Sequence, residues 1–140
     1  MNREILFRGK RIDNGEWIIG DLTTYTDTRG QKTYEILDKT NLIDIYIPSV
    51  LGDLPTQMPA FINVDENSVG QYTGLCDKNG TKIFEGDILD VWENEKHKQS
   101  VVVIFEKGSF TVSHYALNLL CERNLYSEVV GNIHDNPELL

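Results

Sequence analysis

The chain is poor in cysteine, in positive charge and in long apolar runs. Its only cysteines, Cys76 and Cys121, form no CxxC pair, which argues against a disulfide framework or a thiolate zinc site. No apolar stretch approaches the roughly 18 residues that a membrane-spanning helix needs. No charged-then-apolar signal segment opens the chain, since residues 5–7 form an apolar run of only three. These absences predict a cytoplasmic protein that is not bound to a membrane.

Positive charge is scarce, with 13 lysines and arginines against 22 aspartates and glutamates and a formal net charge of −9. This balance disfavours a general nucleic-acid binder, because most of such affinity comes from Lys and Arg neutralising phosphates. One local exception is the first twelve residues, which carry Arg3, Arg8, Lys10 and Arg11 against Glu4 alone. Such a basic strand could grip phosphate, although it is more commonly a solvated strand face.

Motifs for catalysis are missing as well. The sequence contains no GxxxxGK[ST] or GxGxxG phosphate loop, no GxSxG elbow and no HxxxH pair. His114 and Cys121 are seven residues apart, but two ligands are too few for a metal site. Cys76 is followed by Asp77, whose negative charge disfavours a reactive thiolate. We therefore expect no enzymatic activity, no cofactor and no metal.

Strand patterns run through most of the chain. "GEWIIGDLTTY" is rich in residues that suit a pleated, half-buried surface. "LIDIYIP" alternates, with Ile43, Ile45 and Ile47 on one face. "VVVIF" is a continuous apolar run, typical of a strand covered on both faces. The succession of short strands predicts a mainly β fold, a small β-barrel of SH3-like architecture with β-hairpins.

The same pattern divides the chain. Residues 48–60 hold three of the four prolines, and we expect a loop or connector there. This connector would end an N-terminal β subdomain of residues 1–63, and an SH3-like barrel subdomain would occupy residues 64–140. One short helix is expected near 114–123, because "HYALNLLCER" spaces its apolar residues for one side of two or three helical turns.

Two stretches share a pattern. "FRGKRIDNGEWIIGDL" and "YTGLCDKNGTKIFEGDI" each contain an aromatic residue, Gly, Asn-Gly and Gly-Asp in that order. We interpret both as hairpins in which both Asn-Gly positions accept positive φ and the aspartate near a bend accepts backbone hydrogen bonds. The turn positions are Asn14, Gly15, Gly20, Asp21, Gly74, Asn79, Gly80, Gly86 and Asp87. The alternative is a carboxylate site of Asp21, Glu85 and Asp87 for metal or acid–base chemistry.

The candidate binding residues combine the basic strand with aromatic side chains. They are Arg8, Lys10, Arg11, Trp17, Tyr72 and Trp92. Aromatic residues of this kind could line a groove, although on strands they more commonly form core or cross-strand pairs.

Three segments carry a family resemblance. "VGQYTGLCDKNGTKIFEGDIL", "FRGKRIDNGEWIIGDL" and "VVGNIHDNPELL" resemble the YopX family of small proteins encoded by bacteriophages and prophages. The resemblance implies a mainly β protein in the host bacterial cytoplasm, and it brings no established activity and no catalytic residues. Cys76 stands where the family pattern favours a polar or charged residue, which argues further against a catalytic cysteine.

These observations favour a non-enzymatic phage or prophage accessory protein whose β domain binds a macromolecule, with a host or phage protein favoured over nucleic acid. A second hypothesis is a nucleic-acid-associated factor that uses the basic N-terminal strand. A third is an enzyme with the Asp/Glu site, and an acidic decoy for a nucleic-acid-binding host protein is a variant. A homo-oligomer also stays open, because many short strands leave edges.

Overall fold

Antiparallel β-strands make up nearly all of the regular structure, which confirms the mainly β prediction. The structure is a computed structural model that describes residues 2–47, 54–94, 97–113, 115–117 and 126–140. Single 3-10 turns occur at Glu66–Ser68 and Pro137–Leu139. The strands are β1 (Phe7–Lys10), β2 (Trp17–Thr26), β3 (Lys32–Ile47), β4 (Leu54–Asn63), β5 (Gly70–Cys76), β6 (Lys82–Phe84), β7 (Asp87–Asn94), β8 (His97–Glu106), β9 (Ser109–Val112), β10 (Tyr115–Ala116) and β11 (Tyr126–Asn132).

The chain forms two compact units. The N-unit comprises residues 6–69 and contains β1 to β4, whereas the C-unit comprises residues 1–5 and 70–140 and contains β5 to β11. The sequence pattern placed the corresponding division between residues 63 and 64.

The N-unit is an antiparallel sheet in the order β4-β3-β2-β1. Its core lies on one face, where Ile18, Ile36 and Val64 are buried beside partly buried apolar neighbours. Beyond β4, Val64 forms one isolated bridge with Arg11, next to β1. A barrel needs a continuous ladder between its first and last strands, and a single bridge does not supply one. The predicted β-barrel is therefore wrong for this part of the described chain.

The C-unit holds a sheet in the order β10-β9-β8-β7-β11, together with the β5–β6 hairpin. Its outer strands β10 and β11 are separated by three others, so the described strands form an open sheet here too. Val101 and Val103 of β8 enter the core, but Ile104 and Phe105 are 39% and 52% exposed. The run "VVVIF" is thus covered on one face, and the expectation of two covered faces is wrong.

Two local predictions also need correction. Residues 54–60 are part of strand β4 and not a loop; residues 48–53 of the predicted connector lie outside the described residues. Pro55 and Pro59 fit because β4 is the edge strand of the N-unit sheet. In the predicted helix at 114–123, Tyr115–Ala116 is strand β10, which pairs with β9 after a turn at Ser113 (φ 46°). The rest of that segment, apart from Leu117, is not described.

Gly20 lies in the middle of β2, where the backbones of β2 and β3 approach closely. A Cβ atom at this position would overlap the carbonyl oxygen of Leu37 and press against Ile36. The oxygen belongs to the β2–β3 ladder, so it cannot move without disturbing the pairing. Glycine is thus required here for close approach rather than for a bend.

We expect Gly20→Ala to lower the free energy of unfolding by roughly 2–4 kcal/mol, because the added methyl group collides with backbone. Urea titration followed by circular dichroism measures the change. Thr24→Ala, an exposed substitution on the same strand, is the control and should stay within about 0.5 kcal/mol of the parent. Equal stability of Gly20→Ala and the parent would contradict the close approach.

Candidate functional site

The face of the N-unit sheet opposite its core is the candidate site. Side chains alternate between the faces of a strand, and cross-strand partners share a face. Since Ile18 and Ile36 point into the core, their sequence neighbours on β2 and β3 point away from it. We call Trp17, Ile19, Leu37 and their register partners the outer face: Arg8, Lys10, Trp17, Ile19, Asp21, Leu37 and Phe61.

Trp17 holds two cations on the outer face. The guanidinium carbon of Arg8 lies 4.8 Å from the centroid of the indole ring, and Nζ of Lys10 lies 5.6 Å from it. Each such contact contributes about 0.5–1 kcal/mol at exposed sites. The predicted basic strand and the predicted aromatic residue therefore form one half-buried cluster.

Apolar side chains continue the outer face away from Trp17. Ile19 is 48% exposed and Phe61 is 51% exposed, while Leu37 is half-buried between β2 and β4. Asp21, opposite Leu37, forms an ion pair of 2.6 Å with Nζ of Lys39. Exposed apolar residues with a charged rim are typical of a protein-binding surface.

Arg11 lies apart from this cluster, at the β1–β2 hairpin. Its Nε and Nη2 donate to the two carboxylate oxygens of Asp13 at 2.9 and 2.6 Å, and this hydrogen bonding lowers the pKa of Asp13. Arg11 also lines an open depression of about 710 Å³ together with Lys32, Tyr34 and Glu66. A carboxylate already engages this guanidinium, so a phosphate would have to compete for it.

The two aromatic candidates of the C-unit have other surroundings. Tyr72 is buried, with its ring 5.5 Å from that of Phe84 and its hydroxyl 3.5 Å from Sγ of Cys76. The contact with Cys76, together with burial, raises the pKa of Tyr72 to about 12. Trp92 is half-buried beneath Nζ of Lys78, 4.4 Å from the ring centroid. Tyr72 therefore belongs to the interior of the C-unit.

The turn between β5 and β6 is organised by Asp77. Its N–H donates to the carbonyl of Thr81 at 2.9 Å, and Gly80 occupies the left-handed region with φ of +82°. Its Oδ1 accepts the N–H groups of Asn79 and Thr81, and its Oδ2 accepts the N–H of Val129 on β11 at 3.0 Å. Asp77 thus joins the hairpin to the five-stranded sheet.

The same turn recurs between β2 and β3, in "DTRGQ". Asp27 N–H donates to the carbonyl of Gln31 at 2.9 Å, and Asp27 Oδ1 accepts the N–H groups of Arg29 and Gln31. The β1–β2 turn differs, because Gly15 N–H bonds back to the carbonyl of Arg11, four residues earlier. The geometric match of the Asp77 turn is therefore the Asp27 turn and not the turn at Asn14.

The conformation expected for the Asn-Gly pairs is wrong in one respect. Gly15 and Gly80 have positive φ, whereas neither Asn14 nor Asn79 is among the described non-glycine residues with positive φ. Loops of three or four residues begin with a right-handed turn and need a left-handed residue only at their end. Glycine therefore carries the special conformation alone.

The Gly-Asp pairs occupy two different environments. Gly86 has φ of +83°, and the buried Asp87 accepts the N–H of Phe84 at 2.7 Å through Oδ2. Gly20 and Asp21 instead lie within β2. Gly74 (φ +86°) falls where the β5–β6 register shifts. Asp21 and Asp87 are each engaged within their own unit, and the described residues contain no group of three His, Cys, Asp or Glu that could hold a metal ion.

Comparison with known proteins identifies the family. A model of the YopX protein family matches residues 6–140. The chain belongs to the YopX family. It is similar to the crystal structure of protein EF1440 from Enterococcus faecalis, with 27% sequence identity, a TM-score of 0.61 and coverage of 99% of each chain. No curated protein matches it.

In this YopX-family chain, the sequence indicated only part of the outer face. Arg8, Lys10 and Trp17 were candidates, but Ile19 and Phe61 were not. The alternation in "WIIGDL" could have placed Ile19 beside Trp17. Phe61 had no such signal, because its position depends on its pairing with Leu37, which lies 24 residues earlier in the sequence.

No helix within the described ranges is long and apolar enough to cross a membrane.

Asp77 predicts a pH dependence of stability. Burial raises the pKa of this carboxyl, whereas hydrogen bonds from the backbone N–H groups of Val129, Thr81 and Asn79 lower it. The hydrogen bonds together outweigh burial, so the pKa of Asp77 is below its ordinary value. A carboxyl with a depressed pKa stabilises the fold above its unfolded pKa of about 4, and this contribution is lost as the pH falls through the folded value.

We therefore expect Asp77→Asn to destabilise the protein by about 1–3 kcal/mol at pH 7 and by less as the pH is lowered below about 4. Thermal melts between pH 7 and pH 3 follow the difference. Glu66→Gln is the control, because that side chain is exposed. A loss for Asp77→Asn that is independent of pH would refute the role of the charge.

Proposed function

We propose that this YopX-family protein is a non-enzymatic binding domain that docks another protein on its outer face. The observation that carries the proposal is that Arg8, Trp17, Ile19 and Phe61 share one face of the N-unit sheet. Protein interfaces are enriched in aromatic residues and Arg at their centre, and a few such anchors carry most of the binding energy. The aligned cations suit a partner with an acidic rim.

Charge supports a protein partner over nucleic acid. The whole chain carries −9, which repels a polyanion at long range. Within the N-unit, Arg11, Arg29 and Lys39 each form an ion pair with an aspartate. A phosphate backbone would have to displace these carboxylates, whereas an apolar protein patch would use Ile19 and Phe61 directly.

Family membership supports further parts of the proposal. The YopX resemblance implies a protein encoded by a bacteriophage or prophage, which favours an accessory role in the host bacterial cytoplasm with a host or phage protein as the partner. We propose no cofactor or metal for this role. The SH3-like arrangement of the C-terminal strands stays a prediction.

We expect the double variant Ile19→Glu/Phe61→Glu to bind its protein partner much more weakly than the parent, because it places two charges in the apolar part of the outer face. The tagged parent and the variant are used to capture proteins from lysogenic or infected host lysate, with nuclease present, and the captured proteins are quantified by mass spectrometry. Ile104→Glu/Phe105→Glu is the matched control, since it changes an exposed Ile and Phe of the C-unit. A partner retained by the parent and the control but lost with the outer-face variant supports the proposal, and equal retention by all three overturns it.

A second candidate rests on the Arg8–Trp17–Lys10 cluster, because a cation beside an aromatic ring is also how single-stranded nucleic acid is bound. This reading predicts binding of an oligonucleotide that weakens steeply between about 50 and about 200 mM salt and weakens further in Arg8→Gln/Lys10→Gln. Fluorescence anisotropy of a labelled single strand measures it. Absence of binding at the lower salt concentration eliminates this candidate.

A further inference from the structure

Beyond its pairing with β2, strand β3 continues into a two-stranded ribbon with β4. The β2–β3 ladder runs from Lys32 to Leu37 on β3, and among the described residues β3 from Leu42 to Ile47 is paired with β4 alone. A register shift between Asp38 and Leu42 separates the two parts. We call residues 42–47 and 54–59 the arm.

A local hydrogen-bond pattern fixes the start of the arm. Asp38 Oδ1 accepts the N–H of Thr40 at 2.9 Å and the hydroxyl of Thr40 at 2.6 Å. These bonds hold the three extra residues of β3 in a defined bulge, and a bulge redirects a strand away from its former neighbour. The departure of β3 from β2 is thus built into the fold.

The arm is nearly free of charge and is apolar at its surface. Leu42, Ile43 and Met58 are 50%, 45% and 39% exposed, and Asp44 is the single charged residue in the arm sequence. Charged residues make up 25% of the whole chain. A two-stranded ribbon of this composition is marginally stable in water unless another element covers it.

Prolines decide which edge of the arm can accept a strand. In an antiparallel ladder, residues alternate between hydrogen-bonded and non-hydrogen-bonded pairs, and proline fits only where its nitrogen faces away from the partner strand. Pro55 and Pro59 are therefore at positions that face outward from β4, and neither has an N–H to donate. Gln57 is left as the outward donor between them, so the β4 edge is blunted.

The β3 edge has the opposite character. Leu42, Asp44 and Tyr46 oppose Pro59, Gln57 and Pro55, so their N–H and C=O groups face outward along β3. No proline interrupts this edge. It is the edge of the arm to which an antiparallel strand can be added.

We propose that the β3 edges of two copies of this chain pair antiparallel about a two-fold axis, which joins their arms into a four-stranded sheet. Two copies that each carry −9 repel one another wherever their charged surfaces meet, but the arm brings only Asp44 to the contact. A two-fold contact places the same patch on both sides. With the axis near Asp44, antiparallel pairing sets Leu42 of each copy opposite Tyr46 of the other, and Ile43 opposite Ile45. This surface is separate from the outer face and does not depend on the proposed function.

Sedimentation velocity of the full chain from about 1 μM to about 100 μM tests the dimer. The parent should show a concentration-dependent monomer–dimer equilibrium. Asp44→Pro removes the central one of the three outward N–H donors of the β3 edge and should weaken association by at least about tenfold. Gln57→Pro is the matched control, because it alters the cross-strand partner of Asp44 on the blunted β4 edge and should leave association unchanged.

Two further variants keep the test valid if Asp44→Pro fails to fold, which thermal melts reveal. Asp44→Asn removes like charge near the two-fold axis and should tighten the dimer, most clearly at low salt. Ile43→Lys/Met58→Lys keeps the ladder and should give a monomer. A parent that stays monomeric throughout, or a dimer disrupted equally by Gln57→Pro and Asp44→Pro, overturns the proposal.

Discussion

The register of β2 between β1 and β3 is the constraint on which the N-unit depends. A slip of one residue would exchange the faces, placing Ile18 outside and the Trp17 cluster inside. Small residues on the core side allow the close approach that this register needs. A side chain at Gly9 would meet Val64, and one at Gly20 would overlap the backbone of Leu37. The core and the outer face are therefore two results of one alignment.

Several aspartates of this acidic chain have a structural use. Asp27 and Asp77 close equivalent turns. Asp87 accepts the backbone N–H of Phe84, and Asp38 holds the bulge of β3 through Thr40. Asp90, buried on β7, bonds to Lys98 and the hydroxyl of Ser100, both at 2.6 Å. Carboxylates engaged in this way stabilise backbone geometry, and this explains why a chain rich in aspartate need not be catalytic.

Both surfaces that we propose as contact surfaces lie on the N-unit. Its outer face combines a tryptophan held by cations with exposed Ile19 and Phe61, and its arm carries apolar residues almost without charge. The C-unit instead buries Tyr72 and covers Trp92 with a lysine. The aromatic candidates of the C-unit thus serve its own packing, whereas Trp17 lies on a proposed contact surface.

The sequence by itself determined the mainly β class, the hairpin turns at Gly15 and Gly80 and the family, because turn chemistry and period-two alternation act over a few residues. It named Arg8, Lys10 and Trp17 as candidates, but the structure showed that the two cations lie over the indole ring. Only the tertiary structure decided that the described strands form open sheets, that Pro55 and Pro59 belong to an edge strand, that Tyr115 is in a strand, and that Leu37 meets Phe61. These features depend on which distant strands pair. A local pattern states that a segment is a strand, but long-range packing selects its neighbour, its edge and its exposed face.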